Sequence, residues 1–323
     1  SILRSRGLWI LLALSLIVTT TACQSSPDRD TREVTLTQAL ETLMPNGRVY
    51  ANDLAANGPV EVRNAWLFDN EVILEGMAGD ITALSRGNLG AMWYYDRLPG
   101  PLDHVPSTSP LSFLFVSDGA LYAVERKLGN QVRGGIPLNF VPSASPAATE
   151  STAYFPALAA NIGRPTIVTV NLSTGLEGWR IATRSSVTTS VVAGGSTTRP
   201  MIYFAEEKAG VYAYAADSSS SGAPDPAWAR LTYGLNKHAP VALEDLVLLG
   251  SDEGDFWALD RVTGTVNWSV MSGSPLLDSP WASGDQVYFT NGRGFHCHAR
   301  EDGQHLWSYE RPGQFLVRRP DAV

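Results

Sequence analysis

Two hydrophobic patterns divide the chain. In TLTQALETLMP, residues 35–45, Leu36, Ala39, Leu40, Leu43 and Met44 recur at helical spacing, which puts one apolar stripe on a helix. Thr35 and Gln38 suit a capping box and Pro45 stops the run, so a short amphipathic helix is predicted over 35–45. From about Val60 onward the pattern becomes short alternating runs punctuated by Gly, Asp, Asn and Ser, the signature of strands and tight turns. The last stretch predicts four strands, at 274–283, 286–292, 294–300 and 304–310, with hairpin signals at Asn291-Gly292 and Asp302-Gly303. The stretch before it predicts the same order, from APVALED, LVLLGSDEG, DFWALDR and VNWSV.

These runs repeat. ALDRVTGTVNW (258–268) and CHAREDGQHLW (297–307) each place a Gly six residues after a small residue and a Trp four residues after the Gly. Four more units align with them: ALSRGNLGAMW (83–93), AVERKLGNQVR (123–133), TVNLSTGLEGW (169–179) and AYAADSSSSGAPDPAW (213–228). The first has its Gly shifted by one, the second has Arg133 in place of Trp, and the fourth has a lengthened Ser-rich turn. The closing positions 93, 133, 179, 228, 268 and 307 give a period near 40, the length of one four-stranded propeller blade. A helical solenoid of similar period needs amphipathic runs of about ten residues or more, and none follows Pro45. The expected fold is therefore all-β, a β-propeller of four-stranded antiparallel blades spanning 46–323. Six repeats are read from the sequence, and seven or eight fit a complete chain. The first residue, Ser1, and the strand-like Phe315–Val317 near the last suggest a chain that extends further at one or both ends.

Composition agrees with many short strands. Of 323 residues only 17% are charged, while there are 29 Gly and 20 Pro. The net charge of −8, without basic runs, makes nucleic acid a poor partner. The N-terminus carries an address. Arg4 and Arg6 precede GLWILLALSLIV (7–18), an apolar core of signal-peptide length and too short to span a bilayer comfortably. Ala22 before Cys23 resembles a bacterial lipobox, with Thr20 where Leu is usual, and QSSP follows as a polar tether. We read 1–22 as a signal peptide, Cys23 as the lipid attachment site and 23–34 as the tether. With Cys23 acylated, Cys297 has no disulfide partner, because the chain has two Cys in all.

The pattern A-x-D-x-x-T-G-x-x-x-W, best kept from Ala258 through Asp260, Thr263 and Gly264 to Trp268, resembles the repeat of PQQ-like, or quinoprotein-type, β-propellers. That family includes quinoprotein alcohol dehydrogenases and cofactor-free BamB-like lipoproteins of outer-membrane β-barrel assembly. The resemblance covers about Asn70 to Glu310. It implies that Trp93, Trp179, Trp228, Trp268 and Trp307 dock across blade interfaces, and that Asp260, Thr263, Gly264 and Gly303 shape turns. An Asp and a Thr can hydrogen-bond a turn's backbone, and Gly accepts a positive φ. A buried indole needs an acceptor for its N–H.

Chemistry is sparse. A quinoprotein dehydrogenase holds its quinone against two adjacent cysteines, with a Ca²⁺ ligated by carboxylate and amide side chains, and this chain has no Cys-Cys pair. No cofactor is therefore expected. His296, Cys297 and His298 put both imidazoles on one strand face, within reach of His305 on the next strand. This is a weak metal candidate, and two strand imidazoles on a polar face are the commoner origin of such a pattern. Asp252, Glu253 and Asp255 lack the spacing of an EF-type loop and coincide with a hairpin. The expected function is a non-catalytic, lipid-anchored scaffold facing the bacterial periplasm, at the outer membrane, with envelope proteins as partners. The alternative is a PQQ-dependent dehydrogenase or small-molecule binder that uses the central channel. If the lipobox reading is right, Cys23→Ala moves the protein from the membrane to the soluble fraction; continued sedimentation of the variant with membranes rejects it.

Overall fold

The computed structural model describes residues 62–311, apart from 69, 89, 97, 159–162, 197–198 and 217–223. The signal segment, Cys23, the 35–45 helix, the Ser218–Gly222 insertion and Phe315–Val317 lie outside the described residues. Among the described residues all helix-or-strand structure is β, in six antiparallel sheets whose strands follow chain order. The chain forms two compact units, one of 62–106 with 111–135 and the other of 107–110 with 136–311.

In the first unit, sheet 1 joins Val62–Leu67, Glu71–Gly76, Ile81–Ser85 and Ala91–Tyr95, and sheet 2 has Ser112–Ser117 and Ala120–Glu125 as its long central strands. Ile73, Ile81 and Trp93 of sheet 1 share one core with Phe113, Phe115 and Val124 of sheet 2. In the second unit, sheet 3 is built on Thr152–Leu158, Pro165–Asn171 and Glu177–Ala182. Sheet 4 joins Val192–Ser196, Arg199–Glu206, Gly210–Ala215 and Trp228–Leu231. Sheet 5 joins Val241–Ala242, Leu246–Gly250, Asp255–Asp260 and Val266–Met271, and sheet 6 joins Trp281–Ser283, Gln286–Asn291, Gly294–Ala299 and His305–Tyr309.

The second strand of each sheet explains the continuous apolar runs. Leu246–Gly250 is buried at every position. Val247 and Leu249 pack with Tyr203 and Trp228 of sheet 4, while Leu246 and Leu248 pack with Val287 and Phe289 of sheet 6. Period-two geometry thus sends alternate side chains into two different cores. The last strand of sheet 5, Val266–Met271, alternates exposed and covered positions instead, as a strand with one solvent face does. The first strands are shorter than the sequence suggests. The 274–283 strand reduces to Trp281–Ser283, with Leu276 making only an isolated bridge to Asn291. Pro275 and Pro280 flank this stretch, and proline cannot donate to a ladder. Likewise 239–245 contributes only Val241–Ala242.

Three pairs of adjacent sheets are joined by one recurrent device. The small residue and the Trp are direct cross-strand partners: Ala83 with Trp93, Ala213 with Trp228, and Ala258 with Trp268. The short side chain leaves the face clear for the indole. Each of these three indoles is only 7% exposed and donates its N–H to a main-chain carbonyl of the following sheet. Trp93 Nε1 donates to Arg126 O at 2.7 Å, Trp228 Nε1 to Arg261 O at 2.9 Å, and Trp268 Nε1 to Arg300 O at 2.8 Å.

Beneath each indole lies the turn glycine of that following sheet. A Cβ on Gly264 would meet Trp228 at 2.6 Å, on Gly303 would meet Trp268 at 2.6 Å, and on Gly129 would meet Trp93 at 2.7 Å. All three glycines also have φ between +69° and +73°, where a Cβ is strained. Asp260 holds the sheet-5 turn, its Oδ1 accepting from Val262 N, Thr263 N and the Thr263 hydroxyl at 2.7–3.0 Å. Those bonds, the Thr263 hydroxyl's first, keep its carboxyl below the usual range. Asn171 does the same work in sheet 3. In sheet 6, where Ala299 stands at the Asp position, Asp302 Oδ1 accepts from Gln304 N at 2.9 Å.

Two closing tryptophans differ from this device. Trp179 packs against Tyr154, with ring centroids 5.9 Å apart, and it is the Tyr154 hydroxyl that donates to Ala216 O, at 2.6 Å. Ala216 is the counterpart of Arg261, since Ala216 N donates to Pro200 O as Arg261 N donates to Asp245 O. Trp307 is 44% exposed, rests on Tyr288 and Phe295, and makes no indole bond among the described residues. It closes the last described sheet, and no following sheet lies among the described residues. Trp268→Ala is expected to cost about 3–5 kcal/mol and Trp307→Ala no more than about half of that, given its exposure. Gly264→Ala is expected to cost about 2 kcal/mol or more, from the left-handed φ and the indole beneath it. Urea melts of the three variants check the order; equal losses at Trp268 and Trp307 contradict it.

Candidate functional site

Hairpins fix which residues share an edge of the second unit. In sheet 5 the turn after Leu246–Gly250 lies at one edge, while the turns before Leu246 and after Asp260 lie at the other. At the first edge, the 232–240 connection is tied to two hairpins. Asn236 N donates to Glu207 O and Asn236 Nδ2 to Glu206 O. Leu235 N donates to Asp252 Oδ1 at 2.6 Å, and Lys237 pairs with Asp252 Oδ2 at 3.1 Å. The acidic run Asp252, Glu253 and Asp255 therefore belongs to a braced turn. Gly234 sits so close that a Cβ there would strike Glu253 at 2.3 Å. Ser272 N donates to Gly254 O, which brings the end of Val266–Met271 to the same hairpin.

Three large apolar side chains stand out along this braced edge. Leu231 is 73% exposed, Tyr233 80% and Met271 79%. Their backbone is held, yet their side chains face water. Single exposed apolar residues are ordinary; here Leu231 lies beside the sheet-4 hairpin, Met271 beside the sheet-5 hairpin and Tyr233 in the connection between the two sheets, which makes the edge a candidate contact surface. Period-two reading cannot single them out, because each lies at or beyond a strand end.

The histidines occupy the other end of the chain's order. His298 and His305 are cross-strand partners in sheet 6, with rings 5.2 Å apart. His298 is buried and its Nδ1–H donates to Gly303 O at 2.9 Å. His296 contacts Ser308 Oγ through Nδ1 and Asn291 Oδ1 through Nε2, and both His296 and His298 stack on Phe289. His305 Nε2 meets the same Ser308 hydroxyl. Among the described residues no group of three or more His, Cys, Asp or Glu is arranged to hold a metal ion. Cys297 is fully buried opposite Trp307. Burial holds both the His296 and His298 pKa values below the usual imidazole range, with neighbouring histidines adding to the effect. The arrangement is a packed imidazole layer.

Six successive antiparallel sheets of short up-and-down strands, with a turn glycine and an indole joining sheet 1 to 2, 4 to 5 and 5 to 6, define a β-propeller fold with repeats of the PQQ-like kind. Residues 221–322 match the family model for outer membrane protein assembly factor BamB. The chain is also similar in fold to BamB from Moraxella catarrhalis, at 15% identity and TM-score 0.51, covering 79% of this chain and 73% of that one. It is similar to the computationally designed protein Ika8, at 12% identity and TM-score 0.59, over 81% and 79% of the two chains. It is similar too to the quinohemoprotein alcohol dehydrogenase of Comamonas testosteroni, at 12% identity and TM-score 0.50, over 78% of this chain and 60% of the enzyme. No curated protein sequence matches the chain. At such identities the likeness is one of fold. The residues present do not fit the quinone of the dehydrogenases. The only cysteines are Cys23 and Cys297, so no vicinal pair exists to flank it.

The buried histidine has a consequence for stability. Burial disfavours the charged form of His298 in the folded protein, while an unfolded imidazole protonates near pH 6.5. The folded pKa lies lower, so the unfolded state binds more protons as pH falls, and stability drops. We expect a loss between about pH 7 and pH 5.5 that is reduced in His298→Leu, since Leu259 fills the matching position in sheet 5. An identical pH slope in the variant, read from urea midpoints, contradicts this.

Proposed function

We propose that the protein is a non-catalytic scaffold of the bacterial envelope, anchored through a lipidated Cys23 and binding envelope proteins at the edge that carries Leu231, Tyr233 and Met271. One observation carries the reading. The segment that matches the BamB family model, 221–322, also contains the braced edge with its three exposed apolar side chains. A propeller suits this role because its connections all end at two edges, where they can vary without touching the cores. An interface that centres on aromatic, Leu and Met side chains with a charged rim is the usual form of a protein contact, and Asp252, Glu253 and Lys237 supply such a rim here.

A photo-crosslinking residue at Tyr233 or Met271, in the membrane-anchored protein, is expected to trap a discrete envelope partner. The same residue at Leu128, an exposed position on a turn of sheet 2, is expected not to trap it. The double variant Tyr233→Glu, Met271→Glu is expected to lose the crosslink formed from Leu231 while melting as the parent does. Equal trapping at Tyr233 and Leu128 overturns the assignment of this edge.

A further inference from the structure

The opposite edge of the second unit holds a different kind of site. Gly194, Ala242, Leu243, Glu244, Asp245, Arg261 and Arg300 line an open cleft of about 800 Å³. Its two arginines belong to a series. Arg126, Arg261 and Arg300 occupy one repeat position, each giving its carbonyl to the Trp of the preceding sheet.

Two of the three guanidinium groups are also answered by a carboxylate of that preceding sheet. Arg126 donates to Glu71 through Nε at 3.2 Å and through a terminal nitrogen at 2.7 Å. Arg300 is paired with Asp245. For Arg261 the preceding sheet is sheet 4. Its residues in register with Asp245 and Glu71 follow from shared backbone bonds. Ala216 N to Pro200 O matches Arg261 N to Asp245 O, and Phe68 N to Glu71 O matches Leu243 N to Leu246 O. Sheet 4 therefore presents Pro200 and Met201, and neither is an acid.

The consequence is visible at the atoms. Arg261 Nε is buried and has no hydrogen-bond partner, and the same holds for Tyr203 Oη. Tyr203 is fully buried next to the cleft lining: its ring borders the Cβ position of Gly194, at 3.4 Å. Burial lifts its hydroxyl to about 12, with the Arg261 charge offsetting part of that rise and Asp260 adding to it. The group is thus a permanent donor at neutral pH. A buried donor without an acceptor costs more than a satisfied one, and a guanidinium is matched best by the two oxygens of a carboxylate. Gly194 lets the first strands of sheets 4 and 5 approach closely at the cleft, since a Cβ there would come within 2.9 Å of the Ala242 Cβ.

We propose that this cleft binds a carboxylate, which takes at Arg261 the place that Glu71 and Asp245 fill for Arg126 and Arg300 and accepts from the Tyr203 hydroxyl. Asp245 already neutralises Arg300, and Glu244 is exposed at the rim. One negative charge is therefore accommodated and a polyanion is repelled. Two sources carry that chemistry, a small organic acid and an acidic side chain or C-terminus of a peptide. The site lies on the edge away from Tyr233 and Met271, so the scaffold reading and this one stand or fall separately.

The test is a ligand-detected NMR titration of the folded protein at constant ionic strength. N-acetylglycine is the small acid, the end-blocked peptide N-acetyl-Gly-Glu-Gly-amide is the peptide source, and N-acetylglycinamide is the uncharged control. Saturable binding of one or both carboxylates, and none of the amide, is expected. Arg261→Gln is expected to weaken binding by about tenfold or more, the scale of a charge-assisted hydrogen bond. Tyr203→Phe removes an unpartnered hydroxyl and leaves the fold intact, so it tests the site even where Arg261→Gln fails to fold; a severalfold loss of affinity is expected. Binding unchanged in Tyr203→Phe, equal binding of acid and amide, or no saturable binding of either carboxylate overturns the proposal.

Discussion

The indole N–H that crosses from one sheet to the carbonyl of the next is the contact on which the rest of this fold depends. It is a single hydrogen bond, worth about 1 kcal/mol in net terms, yet it fixes three things together. It satisfies the polar atom of a large apolar group, so that group can be buried. It sets the distance between sheets through the glycine beneath the ring. It also fixes which turn faces which strand, because acceptor and glycine belong to one hairpin. The two cores on either side of Leu246–Gly250 can then be filled by simple alternation, with no longer-range instruction.

Much of this was legible in the run from Ala258 to Trp268. Its small residue, Asp, Thr, Gly and Trp state a turn and a docking residue, and a period near 40 states the architecture. The second reason for the glycine was not legible, because the indole over Gly264 comes from Trp228, 36 residues earlier, and no local pattern reports it. Nor was the exchange at sheet 3, where Trp179 is present and Tyr154 makes the bond to Ala216 O. Tyr154 sits in the second strand of its own sheet, outside the stretch that the repeat describes. The reduced first strands were hidden for another reason. Apolar residues such as Leu276 and Leu277 read as strand, while Pro275 and Pro280 remove the donors that a ladder needs.

The residues proposed for function illustrate the same limit. The histidines looked the most chemical in the sequence and prove to be packed against Phe289 and backbone. Leu231, Tyr233 and Met271 carried no pattern at all, since exposure at a strand end depends on how the neighbouring connection is braced. Arg261 is invisible to motif reading because what distinguishes it is a residue type absent from another sheet. A repeat fold makes such differences readable once register is known: each position has counterparts, and a departure from them is a physical statement about local charge or space.

The interlock between sheets takes its acceptor from the main chain. A carbonyl at that position is supplied by Arg126, Arg261, Arg300 or Ala216 alike, and the side chain is not part of the bond. Structural duty and chemical identity are therefore separable at one residue. A chain built this way can acquire, move or lose a charged group beside its central strands without loosening the joint that holds them. The residue that offers the carbonyl is thus a platform for new recognition, present at four junctions among the described residues, whose side chain can change while the joint stays closed.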